Sequence, residues 1–263
     1  MSNPAATERK QTQVKQGSKK GLVYESWYDR VGEGWLANAP TVLNEETPVR
    51  LQYFRQVLGG PAQGLKMLDI GVGGMGTIGE SLVKQGASLT TVDRHQRTLE
   101  LAEAQSRKTG QNIKYEQAPV TELPFQNDTF DAVYAFDMLE HAGPEMDKWF
   151  TEIRRVLRPG GRFIYNMPNR TATSRMMLIY IFEQVIHLNP PGHHNFNWFL
   201  KPQEMQAILA RNGLTHHHQI GFMNLQPKPI AGLNVLTRQG APGGFKFGKD
   251  DSLVYVGYAT KKA

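Results

Sequence analysis

Apolar residues along the chain switch between two spacings, and the switching predicts an architecture. In "NEETPVRLQYFRQVL" (44–58) they fall three and four apart, with acids suited to a first turn, which predicts a helix. The run "LKMLDIG" (65–71) is short, almost continuously apolar and closed by glycine, as expected of a buried strand entering a tight turn. The pairing then repeats. A helix in "TIGESLVKQG" stops at Gly86, "SLTTVDR" is a second strand, and a helix from Gln96 to Lys108 leads to the strand "IKYEQ". The strand "FDAVYAF" is followed by a helix around "MDKWFTEIRRVL", the turn "RPGG" and the strand "RFIYNMP", and another helix starts near Pro202. Strands alternating with helices predict an α/β fold, a doubly wound, mostly parallel sheet covered on both faces. "LTHHHQIGFMNL" and "SLVYVGYAT" have no helical pattern between them and are expected to close the sheet as an antiparallel pair, seven strands in all.

One segment interrupts this scheme. "SRMMLIYIFEQVIHLNPPGHH" (174–194) is strongly apolar, yet Glu183 and Gln184 break it and it is too short to span a bilayer. It opens a helical insertion after the fifth strand, assigned to 174–200, either a lid or an interfacial helix on a membrane surface.

Composition narrows the chemistry more than the fold. With 263 residues there is room for one large α/β domain, here assigned to 22–263. Cysteine is absent, which excludes disulfides, thiolate metal sites and a cysteine nucleophile, and agrees with a cytoplasmic setting. The net charge of +6 includes a basic stretch within residues 1–21, read as a disordered tail. No nucleic-acid-binding signature follows it, so no nucleic-acid partner is expected.

"LDIGVGGMG" matches G-x-G-x-x-G through Gly71, Gly73 and Gly76, a pattern shared with nicotinamide-dependent dehydrogenases. Asp69, two residues before the first glycine, argues for a ligand with a cationic amino group over a pyrophosphate. Asp93 ends the second strand, where a carboxylate can accept both hydroxyls of a ribose.

Together "LDIGVGGMG", the strand-ending "VDR", "LPFQNDTFDAVYAFDMLEH" and "LRPGGRFI" resemble the class I S-adenosylmethionine-dependent methyltransferases. Within that superfamily the chain is similar to the 3-demethylubiquinol O-methyltransferases of ubiquinone biosynthesis. "TPVRLQYF", "DMLEH", "MPNRTATSRMM", "GHHNFNWFLKPQEM" and "GGFKFGKDDSLVYVGYAT" carry that similarity. The resemblance implies a Rossmann-like fold, S-adenosylmethionine as cofactor, and cofactor contacts from Arg50, Gly71, Asp93 and Met138. It also implies a phenolic, catechol-like or demethylquinol acceptor. If that acceptor is prenylated, residues 174–188 acquire a purpose as a peripheral membrane contact.

A phenolic hydroxyl, with a pKa of about 10, must lose its proton to become a good nucleophile. Two devices are available just after the fourth strand. Asp137, Glu140 and His141 would share one face of a helical turn and could hold a divalent metal, Mg²⁺ first, with Mn²⁺, Zn²⁺ or Fe²⁺ as alternatives. The family resemblance implies the same three positions as metal ligands, with Asp137 standing where glutamate is more usual. Alternatively His141 acts as a metal-free general base. The resemblance also marks His194 as a substrate-side catalytic candidate. His216, His217 and His218 lie on one strand and are read as structural, because side chains alternate between its faces. Rival readings are a soluble natural-product or amine methyltransferase with 174–188 as a lid, and a cofactor-binding module without catalysis.

Overall fold

A computed structural model describes residues 41–72, 76–185, 189, 191–224 and 245–262. The basic tail, Gly73 and residues 186–188 lie outside the described residues.

Eight strands form one sheet in the order β3-β2-β1-β4-β5-β8-β6-β7. The strands are β1 (Lys66–Ile70), β2 (Ser88–Asp93), β3 (Ile113–Gln117), β4 (Phe130–Ala135), β5 (Leu157–Pro168), β6 (Leu214–Asn224), β7 (Phe245–Gly248) and β8 (Val254–Lys261). The first five are parallel, β8 runs antiparallel between β5 and β6, and β7 lies antiparallel along β6. The expected closing pair is therefore β6 and β8. The expected count of seven is one short, because "FKFG" adds an edge strand after the stretch 225–244.

Among the described residues the longer helices that accompany the sheet are α1 (Thr41–Leu58), α2 (Thr77–Lys84), α3 (Gln96–Lys108), α4 (Met146–Val156) and α5 (Pro202–Arg211). Alternate residues of β1 separate its two faces. Leu68 and Ile70 join Trp149, Phe150 and Ile153 of α4 and Met205 and Leu209 of α5 in one core. Met67 joins Tyr53 and Phe54 of α1 and Ile78 and Leu82 of α2 in the other. Burial on both faces explains why these strands are nearly continuous apolar runs.

The insertion begins with a helical turn, Ala172–Ser174, and continues as a π-helix, Arg175–Val185. Met176, Tyr180 and Val185 are more than half exposed. Their spacing of four and then five residues matches one face of a helix closed by i→i+5 bonds. Glu183 is fully buried.

Neighbours β1 and β4 connect onward in opposite directions across the sheet, β1 to β2 and β4 to β5. Open α/β sheets bind ligands beyond the carboxyl ends of strands at such a point.

Candidate active site

Two turns flank the crevice beyond β1 and β4, and both carry backbone in the left-handed region. After β1, Gly71 (φ 87°) is followed by Val72 (φ 46°); after β4, Asp137 has φ 57°. A β-branched residue there is a conformational outlier, and such outliers concentrate at ligand sites. Gly71 donates its N–H to the Val92 carbonyl at 2.7 Å. A Cβ at Gly71 would sit 2.2 Å from Met138 Cγ, so the Met138 side chain lies directly over the glycine. The sheet thereby brings together two residues assigned to the cofactor.

Asp93, at the end of β2, accepts the His95 N–H at 2.8 Å. Burial pushes its carboxyl up to about 6, against the lowering effect of His95 and Arg94. Asp69 is wholly buried, and its Oδ2 accepts from the Thr91 hydroxyl at 3.5 Å. Burial, and then the Asp69 charge, raise the Tyr134 phenol well above its ordinary value.

Arg50 is the electrostatic hub. Only 4 % exposed, it reaches Glu46 at 2.7 Å and Asp137 at 2.8 Å, and its guanidinium lies over the rings of Phe136 and Phe222. Burial disfavours its charge, but the carboxylates of Asp137 and Glu46 outweigh that and raise its pKa. Among the described residues its Nε has no hydrogen-bond partner. On Asp137, burial acts upward, yet Arg50 and the Asn166 amide hold the carboxyl below the usual range. Asn166 clamps the turn by accepting the Asp137 N–H at 2.7 Å and donating to its Oδ1 at 2.5 Å.

These contacts correct the expected metal set. Both Asp137 oxygens are engaged by Arg50, and one also by Asn166. The Oε2 of buried Glu140 has no hydrogen-bond partner among the described residues, and burial followed by the Asp137 charge lifts its pKa to about 8. The turn Leu139–His141 is a short 3₁₀ segment, not the α-helical turn that would have aligned the three. Among the described residues, Asp137, Glu140 and His141 therefore do not converge as a ligand set.

His141 converges with other partners. Among the described residues, the ligand atoms of His141, His193 and His194 lie within 4.8 Å of one another. His141 is 4.8 Å from His193 and 5.6 Å from His194 between ring centroids, and the latter two are 4.5 Å apart. Burial, then the neighbouring imidazoles, hold His193 well below its ordinary pKa. His194 Nδ1 is 2.7 Å from Glu183 Oε1, and Glu183 also accepts the N–H groups of Gly192 and His194 at 2.8 and 3.0 Å. Sequence reasoning missed Glu183, treated only as a break in an apolar run, and His193. The available signal was an acid inside an apolar segment, since a buried carboxylate requires partners.

The three strand histidines stay apart from this cluster. A bulge between His216 and His218 breaks their alternation, with His217 bonded to Thr260 and His218 to Tyr53.

A family model described as a methyltransferase domain matches residues 68–165, from β1 through most of β5. A ubiquinone biosynthesis O-methyltransferase from Dechloromonas aromatica is 31 % identical over 217 residues, covering 81 % of this chain and 85 % of that protein. Its counterpart from Alkalilimnicola ehrlichii is 31 % identical, covering 82 % and 88 %. The chain belongs to the ubiquinone biosynthesis O-methyltransferase family. It is an S-adenosylmethionine-dependent O-methyltransferase. The fold agrees with distant solved methyltransferases. One from Thermotoga maritima has a TM-score of 0.62 at 17 % identity, covering 92 % of this chain and 99 % of that one. Another, from Aquifex aeolicus, has a TM-score of 0.55 at 16 % identity, covering 85 % and 92 %. The nicotinamide reading of the glycine loop is thereby set aside, and so is a cofactor-binding module without catalysis.

Proposed function

We propose that this methyltransferase transfers the methyl group of S-adenosylmethionine to a phenolic hydroxyl of a demethylquinol that carries a prenyl tail. The carrying observation is the imidazole cluster, with one ring oriented by a buried carboxylate, three residues along the chain from the methionine that covers the glycine turn. Membership of a family of ubiquinone biosynthesis O-methyltransferases supports this acceptor class.

On this reading Asp93 accepts the ribose hydroxyls, while Gly71 and Gly73 allow close backbone approach. Met138 packs along the cofactor, and Arg50 offers its unbonded Nε to the methionine carboxylate. Asp69 supports the loop from inside the sheet. The acceptor oxygen attacks the sulfonium methyl in line. As the O–C bond forms the C–S bond breaks, and sulfur keeps the electron pair and leaves as the neutral thioether. With Nδ1–H donated to Glu183, His194 presents Nε2 as a base for the phenolic proton, and His141 stacks beside it.

The exposed face of the π-helix suits a prenyl tail at a membrane surface, which makes the enzyme a cytoplasmic protein with peripheral membrane contact. No helix among the described residues is long and apolar enough to cross a membrane.

Turnover with a prenylated demethylquinol, a soluble catechol and a primary amine tests the reading. The expected order of kcat/KM is prenylated quinol, then catechol, with the amine inert. Efficient methylation of the amine with none of either phenol would overturn it.

A further inference from the structure

We infer that Trp198, seated on Gly143, is a positioning residue for methyl transfer: it holds the histidine loop against the turn after β4 and so sets where His194 meets the acceptor. This rests on the reading of His194 as the base, and it gives a role to two residues that take no part in the chemistry themselves.

Three observations carry it. First, the contact is built for glycine. Gly143 has φ 52°, in the left-handed region, and a Cβ there would lie 2.9 Å from Cε2 and 3.0 Å from Cζ2 of the Trp198 indole. A side chain at this position is both strained and in the way of the ring.

Second, both partners stand beside the histidines. Gly143 follows His141 by two positions, and Trp198 closes the 3₁₀ turn Phe196–Trp198 shortly after His194. The Asn195 side chain opens that turn by accepting the Asn197 N–H at 3.1 Å. Phe199, next to the indole, is fully buried, with its ring centroid 5.8 Å from that of His194. The Tyr255 hydroxyl donates to the Leu200 carbonyl at 3.0 Å. Glu183 thus fixes the start of the loop, and Phe199 and Leu200 fix its end. The indole adds an anchor on the β4 turn itself.

Third, the same turn has a matching seat at its other end. Met138 lies over Gly71, and five residues later Trp198 lies over Gly143. The segment from Met138 to Gly143 is therefore gripped by a glycine contact at each end, one among the residues assigned to the cofactor and one on the histidine loop. Its length fixes the spacing between methyl donor and base.

In-line transfer needs reacting atoms about 3–3.5 Å apart and aligned, and a displacement of about 1 Å costs on the order of 100-fold. Without the indole the loop keeps its bonds to Glu183 but loses its anchor on the turn. His194 is then misplaced relative to the methyl group, while the cofactor loses no contact.

The test is single-turnover methyl transfer to a demethylquinol at saturating acceptor, with S-adenosylmethionine affinity measured by calorimetry on each variant. Trp198→Ala and Gly143→Ala slow transfer about 10- to 100-fold with cofactor affinity within about threefold of the wild type. Trp198→Phe, which still covers the glycine, recovers transfer to within about fivefold. The double variant is no slower than the slower single one, because both substitutions act through one contact. In a His194→Ala background, Trp198→Ala has no further effect. Should Gly143→Ala fail to fold, the two Trp198 variants and the His194→Ala background decide the question. Transfer at the wild-type rate by Trp198→Ala, with His194→Ala slow, overturns the inference. So does a loss from Trp198→Ala that is as large without His194 as with it. Wild-type transfer by His194→Ala instead overturns the reading of the base, and the inference with it.

Discussion

At the residue scale, Arg50 shows how much of this site is electrostatic bracing. Its charge is buried between Glu46 and Asp137, so removing it strands two carboxylates. Breaking a fully buried ion pair from one side costs about 3–5 kcal/mol, an upper bound here because the Asp137 side chain is 44 % exposed. Arg50→Met should lower the unfolding free energy by less than that amount in urea titrations, and cofactor affinity with it. Gly71→Ala combines a positive φ with a clash against Met138, so cofactor binding should fall steeply in calorimetry even where the chain still folds. Asp93 gives the pH dependence. Its folded pKa of about 6 lies above the carboxylate reference of 3.8, so its contribution to apoenzyme stability is complete below pH 4 and lost as pH rises through 6. Ribose recognition needs the opposite protonation state. Affinity for S-adenosylmethionine should therefore weaken as pH falls from 7 to 5, and Asp93→Asn, weaker throughout, should flatten that profile. Arg94 and His95, which act on the same carboxylate, are unchanged in the comparison.

At the element scale, the strands were legible because both faces of the sheet are buried, leaving the runs nearly free of polar residues. The helices α2 to α5 follow the expected positions for the same reason. Helix α1 starts at Thr41, a turn before the acids expected in its first turn, so Glu46 sits where it can reach Arg50, one turn on. Strand β7 was not legible. "FKFG" is four residues of half-exposed edge, with too little periodicity to separate it from a loop. The glycine turn, Asp93 and Met138 could be placed from motif and strand ends. The acceptor side could not, because it depends on the π-helix turning Glu183 inward to meet a loop nine to eleven residues later. Periodicity reports faces within an element, and this contact lies between elements. The outward face of the same helix carries its own prediction. Met176→Ser with Tyr180→Ser should reduce flotation with anionic vesicles and raise KM for a prenylated acceptor, leaving turnover of a soluble catechol within about twofold. Vesicle binding that is absent in the wild type, or indifferent to the double substitution, would assign the helix to a lid.

At the scale of the whole molecule, sheet order decides where chemistry can occur. Reversal of connection between β1 and β4 opens a crevice, and the turns leaving those two strands supply Gly71, Met138 and Asp137. The inserted π-helix and the loop after it bring His193 and His194 beside His141. Cofactor binding should stabilise this arrangement as a unit. S-adenosylmethionine at 100 times its Kd contributes about 2.7 kcal/mol, a rise in Tm of roughly 5–10 °C for a chain of this size, whereas NAD should leave Tm unchanged. The central claim is that the histidine cluster activates a phenolic acceptor beside the bound cofactor. Single-turnover methyl transfer to a demethylquinol by His194→Ala, with S-adenosylmethionine affinity measured on the same preparation, tests it most directly. A transfer rate lowered by about 10²- to 10⁴-fold with cofactor affinity within about threefold of the wild type is the predicted result. Transfer at the wild-type rate, with the cofactor bound normally, would contradict it.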